Sequence, residues 1–173
     1  DEYTCLAQTA TGSWLVGGTT VASNSTYSLF VEVSPSGEVL TERVLPAFHA
    51  TRQLLPMGNE RIVGAQRVQS SAGGEYNSLI QVSGLDAEGN GLWHKNIKIT
   101  TGYAAKISGF FPLSDTVFVL CSNTRLYRIH AGDGTILSEQ YLHPPYGQMT
   151  LASVLPHNSG YKAVVVPEPN PEQ

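Results

Sequence analysis

Two short markers recur in step along this chain. Gly37-Glu38-Val39-Leu40, Gly89-Asn90-Gly91-Leu92 and Gly134-Thr135-Ile136-Leu137 share the pattern Gly-x-x-Leu, 52 and then 45 residues apart. Leu55-Pro56, Phe111-Pro112 and Leu155-Pro156 follow with spacings of 56 and 44. Two unrelated markers that keep the same irregular period mean one supersecondary unit copied along the chain. A pair of seven-stranded β-sandwiches would hold as many strands, but a sandwich has no reason to repeat itself at this interval.

Each unit reads as four short strands, a to d. Strand a ends at the proline, b follows a turn, c leads into the Gly-x-x-Leu turn and d leaves it. Period-two runs rich in Val, Ile and aromatic residues mark them: Trp14 to Gly17, Tyr27 to Val33, Arg61 to Ala65, Ser78 to Val82, Val117 to Cys121, Leu126 to Ile129 and Lys162 to Val166. Turn clusters such as Ser34-Pro35-Ser36-Gly37 and Gly132-Asp133-Gly134 separate them. Every window with helical spacing is broken by Gly, Pro or β-branched pairs. The units span about 3–45, 49–99 and 103–142, with Thr9 where the first proline would stand. A half unit covers 148–166, and 167–173 is a Pro-rich tail.

Charge removes several function classes. Charged residues are 14% of the 173, against roughly 25% in an average soluble protein. The net charge is −4 and no Lys/Arg cluster exists, which disfavours nucleic acid as a partner. No apolar run approaches the ~20 residues of a membrane-spanning helix. Cys5 and Cys121 fall on strand a of the first unit and strand b of the third. An intervening unit should hold them beyond the ~7 Å reach of a disulfide, so both are expected as free thiols. The compartment stays open, with an extracellular or periplasmic one slightly favoured.

Four antiparallel strands in about 40–50 residues is the pattern of a β-propeller blade. The Gly-x-x-Leu turn, preceded by Leu126-Tyr127-Arg128-Ile129-His130-Ala131-Gly132-Asp133-Gly134, resembles blades of the quinoprotein-like (PQQ-type) propellers. Gly89 to Trp93 is similar to that family's turn followed by a docking tryptophan. The resemblance implies an all-β fold of about three and a half four-stranded blades, with Trp93 packed between blades. Thr41 and Ser138 replace the tryptophan in the other units, and the resemblance carries no quinone binding or dehydrogenase activity with it. Three and a half blades leave the ring open, so further blades are expected from another copy, another chain or a missing part of the protein.

No catalytic residues, metal ligands or cofactor are read from the chain. Asp86-Ala87-Glu88-Gly89-Asn90-Gly91 echoes a calcium loop, but its twelfth position is Ile97, and a polar hairpin turn accounts for it better. No two of the five histidines stand at metal-ligand spacing. Asn24-Ser25-Thr26 matches a glycosylation sequon. The a–b and c–d connections are tight, whereas the b–c and d–a connections look longer and more varied, as at Thr19 to Thr26 and Arg67 to Asn77. Recognition is expected on that second face. Its candidate residues are His49, Arg67, Tyr76, Tyr103, His143 and Tyr146, which suit a protein partner or a glycan. The leading expectation is a non-enzymatic binding or scaffold module. The alternative is a hydrolase or lyase with its site in the channel of a complete propeller. The expected a strands carry Arg52 and Lys106 but no carboxylate, which favours binding.

Overall fold

The computed structural model describes residues 2–23, 25–58, 60–70, 77–99, 106–122, 124–142, 149–157 and 160–167. They form fourteen strands in four antiparallel sheets. The first sheet is β1 (Glu2–Gln8), β2 (Trp14–Ala22), β3 (Ser25–Val33) and β4 (Val39–Leu45), in that order. The second is β5 (Gln53–Met57), β6 (Arg61–Ser70), β7 (Asn77–Leu85) and β8 (Gly91–Ile99). The third is β9 (Ile107–Pro112), β10 (Val117–Ser122), β11 (Arg125–His130) and β12 (Ile136–Tyr141). The fourth holds β13 (Met149–His157) and β14 (Gly160–Pro167). Among the described residues no helix is long and apolar enough to cross a membrane.

Each sheet is a meander whose strands pair with their neighbours in sequence, so its first strand is an edge. Those edges adjoin: β1 lies against β5, β5 against β9 and β9 against β13. Apolar residues on facing sides fill the space between sheets. Leu15, Phe30 and Leu45 of the first sheet meet Leu54, Ile62 and Leu85 of the second. Val63, Ala65, Ile80, Val82 and Ile97 of the second meet Phe118, Leu120, Tyr127 and Ile129 of the third. Phe111, Val119, Cys121 and Leu126 of the third meet Val154, Tyr161 and Val165 of the fourth.

The repeated turn has a backbone cause. Gly37, Gly89 and Gly134 take φ of +90°, +80° and +71°, the left-handed region that side chains with a Cβ resist. In the calcium-like segment the side chain of Asp86 is used inside the turn. One carboxylate oxygen accepts from the Asn90 amide at 2.7 Å and the other from Asn90 Nδ2 at 2.8 Å. This is the hairpin expected from the polar turn composition.

Three details depart from the sequence reading. Thr19 to Ala22 and Ser25 to Thr26 belong to paired strands and not to a long b–c loop, because β-branched Thr19, Thr20 and Val21 carry β2 through to Ala22, opposite Ser25. Register places Gln8, opposite Trp14, where Pro56 stands opposite Ile62, so Gln8 and not Thr9 holds the first proline position. Strand β1 begins at Glu2, so the first inner strand does carry a carboxylate. It pairs with Arg52 at 3.8 Å. Both cysteines are free, as expected.

Candidate functional site

The first two sheets do not stay in contact along their whole length. Near the a–b turns the facing positions are Leu15, Phe30, Ile62 and Leu85. Further along the same faces stand Thr19 opposite Ser28, and Gln66 opposite Gln81. Ser28 takes the register position that Ile80 holds in the second sheet, where Ile80 is fully buried against the third. Exchanging a large apolar side chain for a hydroxyl at this depth leaves room.

The result is a cavity of about 740 Å³ at the b–c end of the first seam. Thr19, Thr26 and Ser28 form one wall and Gln66, Val68 and Gln81 the other, with Ala47, Phe48 and Arg52 between. Tyr27 and Arg67 complete the lining. Phe48 leaves 44% of its surface exposed. The cavity therefore combines an aromatic surface, a guanidinium, hydroxyls and amides, the set used to orient flat or polar ligands.

The crossover that joins β4 to β5 builds this floor, and polar side chains hold it. Gln66 Nε2 donates to the Ala47 carbonyl at 3.1 Å and to Gln81 Oε1 at 2.7 Å. The Ser28 hydroxyl donates to the carbonyl of His49. The Ala50 amide donates to Ser83 Oγ at 2.9 Å, and Thr51 Oγ1 donates to the Gly18 carbonyl at 2.8 Å. Ala50 and Thr51 are wholly buried, so these bonds satisfy a backbone that water does not reach.

His49 lies beneath this floor instead of at an open mouth. It is buried, and its ring packs against Phe48 with centroids 4.6 Å apart and edge-on to His94 at 5.9 Å. Its Nδ1 has no hydrogen-bond partner among the described residues. Burial lowers its pKa, and the nearby His94 lowers it further. Arg67 belongs to β6 and not to a loop, and pairs with Ile80. Strand alternation sets it on the side that faces the third sheet, so it meets the cavity at the rim. Tyr76, Tyr103, His143 and Tyr146 lie outside the described residues, as does Asn24. Sequence reading missed Phe48, Arg52, Gln66 and Gln81 as lining residues. A signal was available: Gln66 and Gln81 are polar on the strand faces where Ile62 and Leu85 are apolar.

A second cavity, of about 340 Å³, lies along the inner strands and is lined by Cys5, Gln53, Leu54, Ile107, Ser108, Gly109 and Phe110. Burial raises the Cys5 thiol pKa, against a smaller lowering by the Gly17 and Leu54 backbone. Among the described residues no three His, Cys, Asp or Glu side chains are grouped to hold a metal ion.

Successive four-stranded antiparallel meanders, packed face to face with their first strands adjoining, define a segment of a β-propeller. Among solved structures, the chain is similar to BamB from Moraxella catarrhalis. The match has a TM-score of 0.59 and 10% identity, over 95% of this chain and 47% of that one. The chain thus spans about half the length of that chain, and at this identity the likeness is one of fold alone. No protein-family model and no curated protein matches the chain.

Proposed function

We propose that this chain is a non-enzymatic binding or scaffold module that recognises a protein or glycan on the face formed by its b–c hairpins and d–a crossovers. The cavity between the first and second sheets carries the reading. It opens beside the first hairpin, and its lining offers Phe48 and Tyr27 for stacking or apolar contact, Arg52 for charge, and Thr19, Thr26 and Gln81 for hydrogen bonds. A seam that required only stability would be served by apolar residues here, as Ile80 serves the second seam.

The test is a screen of the purified chain against a displayed peptide library and a glycan array, repeated with Thr19→Trp, which fills the cavity, and Phe48→Ser, which removes its aromatic floor. Ligands enriched on the parent chain should lose at least about tenfold in affinity with both variants, about 1.4 kcal/mol. Enrichment indifferent to both substitutions, or no enrichment from either library, would overturn the reading. The two screens separate a protein partner from a glycan.

A further inference from the structure

We infer that the cavity of the first seam takes an acidic peptide segment, with an Asp or Glu carboxylate held by Arg52 and an apolar neighbour laid on Phe48. This rests on the binding reading above and names the ligand class of the same site. Arg52 lines the cavity and Arg67 adds a second guanidinium at its rim, while none of the described residues that line it is a carboxylate. All of them belong to the first two sheets and the crossover between them, so the site is independent of whatever adjoins the outer sheets.

The hydrogen-bond roles around the cavity favour a ligand rich in acceptors. A guanidinium donates and never accepts. Gln66 Nε2 donates to the Ala47 carbonyl and to Gln81 Oε1, so the Gln81 oxygen is already engaged and the group that Gln81 brings to a ligand is its NH2. The Thr19 and Thr26 hydroxyls add further donors. A glycan fits this lining poorly, because each sugar hydroxyl brings a proton that needs an acceptor. A carboxylate and the peptide carbonyls beside it bring lone pairs without protons.

The chain's own Glu2 marks what Arg52 accepts. Register sets Glu2 opposite Thr19, on the strand face that lines the cavity. Its carboxylate stands 3.8 Å from Arg52 Nη2, near enough for an ion pair and too far for a hydrogen bond. The two side chains are 47% and 67% exposed, and an exposed pair of this kind holds weakly. The planar fork of a guanidinium takes both oxygens of a carboxylate when one approaches in its plane. A ligand carboxylate inside the cavity closes to that distance and displaces Glu2, which is therefore an internal competitor. Phe48, half-exposed in the same lining, gives the adjoining apolar side chain its contact.

Selection of the 173-residue chain against a displayed library of random short peptides tests this. Enriched sequences should carry Asp or Glu beside an aromatic or aliphatic residue, and their Asn or Gln counterparts should bind about tenfold more weakly. Arg52→Gln should weaken the acidic peptide by about the same factor and leave its amide counterpart unchanged, a split that misfolding would not produce. Glu2→Gln removes the competitor and should tighten the acidic peptide by about two- to fivefold. Peptides that are lost with Thr19→Trp yet carry no acid, or that bind Arg52→Gln as well as the parent, would overturn this inference and leave the binding reading standing. Enrichment of glycans in place of peptides would overturn it in the same way. Enrichment of neither would overturn both.

Discussion

Trp93 crosses the seam between the second and third sheets, and its Nε1 donates to the carbonyl of Ala131 at 3.0 Å. Its ring lies over Gly134, where an added Cβ would come within 2.7 Å of the indole. Arg61 Nη1 reaches the Gly132 carbonyl at 2.9 Å and Lys95 Nζ the Gly134 carbonyl at 3.0 Å, so three donors of one sheet hold one turn of the next. The first seam fills the same space differently. Thr41 replaces the tryptophan, and Phe30, from β3, lies under Gly89 instead.

Trp93→Ala should therefore destabilise the chain by about 3 kcal/mol, the low end for a large aromatic because the ring is half-buried. Gly134→Ala should cost about 1–3 kcal/mol, from a positive φ and the crowding of the indole. Because the two residues touch, the double variant should lose less than the sum. Urea unfolding midpoints of the four proteins measure this, and strict additivity would mean that the indole does not rest on Gly134.

The blade pattern was legible because backbone needs write themselves into residue types. A turn that demands φ > 0 leaves Gly37, Gly89 and Gly134 in the sequence, and the period-two runs mark the strands they join. The docking role of Trp93 was implied by the resemblance of Gly89 to Trp93 to the turn of quinoprotein-like blades. The first hairpin was not legible, because Thr19, Thr20, Ser25 and Thr26 are polar yet remain in strands. The cavity was half legible. Arg67 lies at its rim, but in the crossover the candidate residue, His49, is the one that points away from solvent, while its neighbour Phe48 lines the space. Which of two adjacent residues faces out depends on the path of the crossover, and that path is fixed by Gln66, Ser28 and Ser83, distant in sequence.

Thiol chemistry should be slow and ordered. Cys121 is fully buried and its pKa is pushed up to about 12, while Cys5 is raised but borders the inner cavity. At neutral pH both are protonated, and the thiolate is the reactive form. A disulfide reagent should title two thiols per chain in denaturant. In buffer it should react first at Cys5, and at Cys121 only as fast as the chain opens. Rapid native labelling of Cys121 would contradict the packing of the third seam.

Stability should fall on mild acidification, through His49. Its folded pKa lies below its ordinary value of 6.5, because burial and His94 both oppose the charged ring. The folded state thus binds this proton more weakly than the unfolded chain does. The contribution is complete above about 6.5 and is lost as pH falls through the folded value. His49→Gln removes this titration. Urea midpoints at pH about 7.5 and about 5 should differ less for His49→Gln than for the parent. An equal drop in both would assign the acid sensitivity to other groups.

The crossover itself supplies the last test. Gly64 on β6 leaves no space above it: a Cβ there would lie 1.7 Å from the carbonyl oxygen of Ala50, a backbone atom that cannot swing aside. Gly64→Ala must push the crossover off the sheet, straining the Ala50–Ser83 bond and the Gln66–Ala47 bond that flank it. Overpacking alone costs about 1–3 kcal/mol, and each buried group left without a partner adds about 1–3 kcal/mol. The expected loss is about 3 kcal/mol or more, with faster hydrogen exchange concentrated at the amides of His49 and Ala50. The second and third sheets are joined by other residues, so exchange in β10 and β11 should change far less. A uniform rise across all three sheets would mean that the crossover is not a local clamp and that the seams unfold as one unit.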